Sequence, residues 1–220
     1  MSEAQAKSIA RARRSIEIAL QLVSRLLEIE CAEAGQLSVE RERVDLCAVV
    51  VEIAAEFQAA AAAKFLDLAV SVRQDDESRA SLVIESDAAR VRQILANLVS
   101  NAVKYTQPRG QISVAARVAL AGEAPWRGCW AAVTVADDGP GIPLEKQGMV
   151  LREFTRFDPS AAAGSGIGLA ISRRLARALG GDITFTSTPG VGSAFTLWLP
   201  LDPPRTPGDW RPAARGEEPA

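Results

Sequence analysis

Residues 164–169 read GSGIGL, and the apolar run LAISRRLARAL follows at once. Glycine at every second place before such a run puts backbone without side chains at the start of a helix. The unpaired N–H groups and the helix dipole there favour an anion, and the missing side chains let a phosphate approach. A linker would not lead into an amphipathic helix. The spacing is neither G-x-G-x-x-G, because position 169 is Leu, nor the G-x-x-x-x-G-K-[ST] of a P-loop, which occurs nowhere in the chain.

A second cluster lies in RQILANLVSNAVKYT. On a helix starting near Ala88 each residue turns by about 100 degrees, so Asn97, Asn101 and Lys104 share one edge. Val91, Leu95, Leu98 and Ala102 take the opposite side. Amide oxygens are neutral hard ligands suited to Mg²⁺ that already carries phosphate charge, and a lysine at that edge reaches the same phosphates. The third cluster, VADDGPGIP over 135–143, delivers Asp137 to the end of a β-branched run. There Gly139 and Gly141 let the backbone turn sharply and approach a flat ligand. Alone, D-D-G-P-G reads equally well as a strong turn. An ionised aspartate beside an apolar slot is also the natural acceptor for an exocyclic amine such as that of adenine. Between these clusters, LEKQGMVLREFTRFDPSAAA is either a segment that closes over a ligand, anchored by Phe154 and Phe157 with Arg156 near the phosphates, or an ordinary surface loop with two core aromatics.

The bulk composition narrows the chemistry. The chain has no histidine, which excludes imidazole base triads, His-ligated metals and phosphohistidine formation on its own residues. Its three cysteines, Cys31, Cys47 and Cys129, never fall in a C-x-x-C spacing, so neither a disulfide framework nor a zinc knuckle is indicated and a reducing, cytoplasmic setting fits. A net charge of −2, with no basic stripe interleaved with aromatics, does not indicate a nucleic-acid or anionic-membrane surface. The start MSEAQAKSIARARR has charge but no apolar core of signal-peptide length, and no run of about 18 apolar residues is expected.

The positioning elements follow from periodicity. Ile16, Leu20, Val23 and Leu27 form a heptad-like seam on a helix within residues 9–30, which either packs on its own domain or joins a partner helix in a dimer. Asp45 caps a second helix with Leu46, Val49, Ile53 and Phe57 facing inward. β-like runs begin at Phe65, Ser81, Gln111, Trp130, Asp182 and Ser193, and helices fill 88–106 and 168–180. Pro189, Gly190 and Gly192 signal a hairpin between the last two strands. This order does not alternate as a doubly wound sheet would, so the expected class is α+β, a mixed sheet with helices on one face. The expected division is 1–34 as a partial dimerisation helix, 35–202 as the main domain and 203–220 as a disordered tail.

In this order, the four stretches resemble the boxes of the ATP-binding catalytic domain of bacterial sensor histidine kinases, within the superfamily that includes Hsp90, gyrase B and MutL. RQILANLVSNAVKYT resembles the N box, DDGPGIP the first glycine box, FTRF the F box and GSGIGLAISRRLARALGG the second glycine box. The resemblance covers nearly all of residues 16–200. It implies a two-layer α/β sandwich of the Bergerat type behind a long N-terminal helix, with ATP and Mg²⁺ as cofactors. Carried over by position, it makes Asn101, with Asn97, the Mg²⁺ contact and Lys104 a phosphate contact. It also places Tyr105 by the base, Asp137 on the adenine amine, and Gly139, Gly141 and Ile142 around that turn. Arg156 lies near the phosphates. Gly164, Ser165, Gly166, Ile167, Gly168 and Leu169 frame the lid and the phosphate-facing helix start.

Hydrolysing relatives and those that phosphorylate serine place a Glu four residues before the second Asn, where it draws a proton from water or hydroxyl. Here that place is Asn97, and an amide is no base. A histidine acceptor is itself nucleophilic, so the kinase branch is favoured over an ATPase. The H-E-[LF]-R-x-P motif of typical members is absent. The resemblance therefore implies transfer of the γ-phosphoryl group to a histidine outside this chain, on a dimerisation domain or an upstream helix, with a response regulator as partner and a homodimer built through the N-terminal helix. The alternative is a catalytically silent nucleotide-binding module of the same fold.

Overall fold

A computed structural model describes residues 39–72, 82–120, 122–152 and 168–201. The heptad-like helix expected within 9–30, the tail from 203 and the segment 153–167 lie outside the described residues.

The elements in chain order are β1 (Glu42–Asp45), α1 (Leu46–Ala63), β2 (Asp67–Val72), β3 (Val83–Ser86), α2 (Ala88–Tyr105), β4 (Gln111–Val118), β5 (Trp130–Asp137), α3 (Leu144–Gln147), α4 (Gly168–Ala178), β6 (Asp182–Thr188) and β7 (Gly192–Pro200). Five strands form one mixed sheet in the order β2-β4-β5-β7-β6, while β1 and β3 pair separately. Only the β2–β4 pairing in the large sheet is parallel. α1 connects β1 to β2, and α2 connects β3 to β4.

Alternation along the strands decides what each face meets. Ile112, Val114 and Ala116 on β4, Ala131, Val133 and Val135 on β5, and Leu197 and Leu199 on β7 are buried in one core with residues of α1, α2 and α4. The opposite face carries a smaller cluster, Trp130, Ala132 and Trp198, covered by Ala119, Ala124 and Trp126 of the β4–β5 loop. α1, α2 and α4 therefore share one side of a mixed sheet, as the strand and helix order predicts.

α1 is long and apolar enough to cross a membrane by length and composition, with a mean hydropathy of 1.7 over its 18 residues, although Glu52, Glu56 and Gln58 interrupt its apolar run. Its Leu46, Val49, Val50, Ile53, Ala54 and Ala61 are buried with residues of the sheet and α2, so this part of its apolar content serves the core. Exposed Glu52 and Glu56 meet Arg92 of α2 on its outer side.

Asp45 caps α1 by accepting from the N–H groups of Cys47 and Ala48. The helix ends in a Schellman turn, with Phe65 N–H on the Ala62 carbonyl and Leu66 N–H on the Ala61 carbonyl. The residue this turn holds in the left-handed region is Phe65, at φ +58°, where glycine is usual.

Candidate functional site

α2 positions most of the predicted residues. Asp87 caps its start through Arg90 N–H, at 3.0 Å. Val91, Ile94, Leu95, Leu98, Val99, Ala102 and Val103 bury one side, and Asn97, Asn101 and Lys104 stay half-exposed along an edge. That edge meets two other elements at two different levels.

At the first level, Asn97 faces α4. Its Nδ2 donates to Ser172 Oγ at 2.9 Å. Its amide also lies so close to Gly168, the first residue of α4, that a Cβ there would stand 3.2 Å from Asn97 Cγ and closer still to Oδ1. Glycine at 168 is thus needed for close approach of α4 to α2, in addition to any need of a ligand. Asn101, one turn further on, makes no side-chain hydrogen bond to another described residue, so among these residues its amide oxygen is free.

At the second level, the end of α2 meets the turn after β5. A Cβ on Gly139 would stand 3.4 Å from both the Tyr105 carbonyl oxygen and Thr106 Cα, and 2.7 Å from Asp137 Oδ1. Asp137 Oδ1 accepts from Gly139 N–H at 2.9 Å. The carboxyl of Asp137 is half-buried, and loss of hydration raises its pKa above the ordinary value against the opposing pull of the Gly139 N–H. The neighbouring Asp138 serves the backbone instead, accepting from Gln111 N–H at 2.7 Å. Adjacent acidic residues therefore hold different posts, one facing the helices and one closing the strand end.

The turn is clamped from below by the β6–β7 hairpin. Gly190 N–H donates to the Pro140 carbonyl at 2.8 Å, and Ile142 N–H to Ser187 Oγ at 2.8 Å. Gln147 Nε2 holds the carbonyls of Ile142 and Ser187 together. Gly141 sits at φ +64°, with the Thr188 carbonyl carbon 2.8 Å from where a Cβ would be. Gly139 and Gly141 are thus required for distinct reasons, the first by the end of α2 and the second by the hairpin. Lys104 Nζ lies 3.1 Å from the hydroxyl of Tyr105 and 4.6 Å from its ring centroid, so the pair forms one exposed basic-aromatic rim.

The structure therefore brings Asn97, Asn101, Lys104, Tyr105, Asp137, Gly139, Gly141, Ile142, Gly168 and Leu169 to α2 and its two flanks. Arg156, Gly164, Ser165, Gly166 and Ile167 lie outside the described residues, as do Phe154 and Phe157. Ser172, Ser187, Gln147 and Lys64, which bonds the end of α2, were not singled out from the sequence. Ser172 alone had a legible signal, lying one helical turn after Gly168 on the same face. Among the described residues no group of three His, Cys, Asp or Glu stands ready for a metal ion. A divalent cation here would need its charge balanced by a ligand's phosphates, and the free Asn101 oxygen fits that arrangement.

Comparison with known proteins agrees with this geometry. The chain matches the model of the histidine kinase-, DNA gyrase B-, and HSP90-like ATPases over residues 86–203, and it belongs to that family. Within the family it is an ATP-binding catalytic domain of the sensor histidine kinase type. It is 34% identical to the circadian input-output histidine kinase CikA of Synechococcus elongatus over 97% of the chain, and 32% identical to the sensor protein GacS of Pseudomonas syringae over 89%. A shorter stretch, 52% of the chain, is 45% identical to the aerobic respiration control sensor protein ArcB of Escherichia coli. The chain spans only 27% of CikA and 21% of GacS. Among solved structures, full-length ShkA in complex with AMPPNP superposes with a TM-score of 0.75 at 27% identity, covering 93% of this chain and 40% of that one. The Acinetobacter baumannii histidine kinase AdeS has the same fold at a TM-score of 0.70.

Proposed function

We propose that this domain binds ATP with Mg²⁺ along the edge of α2 and transfers the γ-phosphoryl group to a histidine that this chain does not carry. The observation that carries the reading is that one helix edge touches both flanking clusters. Gly168 packs on Asn97, and Gly139 packs on the Tyr105–Thr106 backbone eight or nine residues later. At about 1.5 Å per residue the two levels stand about 12 Å apart, which an extended nucleoside triphosphate bridges. Asp137 accepts from the base amine at one level, and Tyr105 lies at its rim. At the other level Asn101, with Asn97 beside it, holds the metal, and the start of α4 offers its N–H groups to the phosphates. Bound magnesium would supply charge neutralisation of the β and γ oxygens.

The chain's own contribution is orientation. Position 97 cannot deprotonate an acceptor as a glutamate would, since it is an amide committed to Ser172, and the carboxylate of Asp137 stands at the other level of the described site. The acceptor must bring its own nucleophile, and an imidazole nitrogen does so. It forms the P–N bond as the bond from the γ-phosphorus to the β,γ-bridging oxygen breaks and ADP leaves. Such an acceptor sits on a dimerisation helix of another chain or of a segment outside this one, with a response regulator downstream and a homodimer through residues 9–30, in a cytoplasmic compartment.

Calorimetry with ATP, with and without Mg²⁺, tests the binding half of the reading. Incubation with γ-labelled ATP and a separate His-bearing dimerisation helix tests the transfer. Label on that histidine is the expected result; a flat titration refutes the site. Binding without label under every pairing favours the second reading, a silent regulatory module, for which the absence of any histidine is the supporting observation.

A further inference from the structure

Lys64 stands at the end of α1, about forty residues in sequence from the end of α2, and its ammonium donates three hydrogen bonds to that end. They reach the carbonyls of Val103 at 2.7 Å, Lys104 at 3.0 Å and Thr106 at 2.9 Å. A helix leaves its last carbonyls without partners, and here only that of Ala102 is taken locally, by Thr106 N–H at 2.9 Å. Lys64 supplies the missing donors, and it does so with a positive charge at the negative end of the helix dipole. Its direction is fixed by the Schellman turn that immediately follows it, whose Leu66 is buried in the core.

We propose that Lys64 is a positioning residue for the nucleotide site, acting through the last turn of α2. This rests on the reading of that site given above. The grip falls on the segment that carries Lys104 and Tyr105. The remaining carbonyl of this turn, that of Tyr105, lies under Gly139. The end of α2 is therefore held by the ammonium on one side while it seats the glycine turn and Asp137 on the other. Rotation of the last turn would displace the Lys104–Tyr105 rim and the support of Gly139 together. A cap that only stabilised the helix would not couple to what Lys104 does.

A double-mutant cycle separates these possibilities. Lys64→Met keeps the aliphatic stem and removes the donors; Lys104→Met removes the phosphate contact. Affinity for ATP with Mg²⁺, measured by calorimetry on the full chain well below the unfolding midpoint, is expected to fall about tenfold in each single variant and by well under a hundredfold in the double variant. Lys64→Arg, which retains charge and several donors, is expected to recover most of the affinity. Losses that multiply, or a Lys64→Met protein with native affinity, overturn the proposal. If Lys64→Met does not fold, Lys64→Gln serves, since its amide still reaches part of the carbonyl set; reduced affinity in a folded protein supports the proposal and native affinity sinks it. A native domain that binds no ATP would instead refute the site itself.

Discussion

Three glycines provide a graded test of how the turn after β5 is built. Gly148 has ordinary helical angles, φ −63° and ψ −12°, and nothing lies within 4 Å of a Cβ placed there. Gly190 has φ +78°, again with open space around it. Gly141 has φ +64° and a Cβ position overlapping the Thr188 carbonyl and 3.1 Å from Pro189 Cα. Replacing glycine by alanine narrows the unfolded ensemble and stabilises by about 0.4–1 kcal/mol where the native angles suit it. Left-handed angles cost an L-residue about 1–2 kcal/mol. Forcing extra volume into packed backbone costs about 1–3 kcal/mol more. Gly148→Ala should therefore stabilise slightly, Gly190→Ala should lose about 1 kcal/mol, and Gly141→Ala should lose about 2–4 kcal/mol, because the hairpin must move away from the turn. With a urea dependence of about 2 kcal/mol per molar, the last loss shifts the unfolding midpoint down by about 1–2 M. ATP affinity should fall with Gly141→Ala alone. Equal midpoints for the Gly141 and Gly190 variants would refute the argument that backbone contact with Thr188 holds the turn in place.

Phe65→Gly should stabilise the domain by about 0.5–1 kcal/mol in the same urea assay, since Phe65 is 75% exposed and loses little burial while its left-handed strain disappears. Asp137 has a folded pKa raised by burial, so its protonated form stabilises the fold below the ordinary carboxylate value of about 3.9, and that contribution is lost as pH rises through the higher folded value. Asp137→Asn should accordingly gain stability relative to the native domain as pH rises from acid to neutral, yet bind ATP about 10–100-fold more weakly, because a charge-assisted acceptor is lost; a variant with a flat stability difference across that range would contradict the burial argument. Asp182, 3% exposed, accepts from both Arg173 and Arg177 of α4, so Asp182→Ala should cost about 1–3 kcal/mol, tempered because both guanidinium groups reach solvent. Glu52→Ala, which removes a surface partner of Arg92, should change the stability by less than about 0.5 kcal/mol.

The strands of the large sheet, the Asp45 cap and the glycine turn were legible because each is a local consequence of residue type. Alternation in WAAVTVAD puts Val133 and Val135 on one face whatever the rest of the chain does, and Asp45 caps α1 with N–H groups only two and three residues away. Pro189 and Gly190 likewise specify their own turn. Long-range pairings were not legible. The short β1 has four residues and finds its partner in β3, about forty residues on, so no period within it reveals a strand. Lys64 and Lys104 are indistinguishable by type, and only the packing of α1 on α2 makes the first a cap and leaves the second at a rim. The two amides of α2 share an edge by spacing, but their different engagement, Asn97 with Ser172 and Asn101 with none of the described residues, depends on where α4 lies.

α2 is best understood as a strut fixed at both ends by opposite charges from other parts of the fold. At its start Asp87 accepts from Arg90 N–H with one oxygen and from Glu40 N–H with the other, at 3.2 Å, tying the segment before β1 to the positive end of the helix. At its finish Lys64 holds the negative end. Both charges have the sign that the helix dipole favours. Between them the buried side packs on the sheet and α1, which leaves the Asn97–Lys104 edge as the part of the helix free to meet other groups. A site that accelerates phosphoryl transfer by orientation more than by acid–base chemistry needs such a strut, because misplacement of the contacts by an ångström costs rate as surely as loss of a side chain. On the proposed reading of the site, Asp87 and Lys64, far from any phosphate, would then be part of what keeps the base level and the phosphate level at a constant separation.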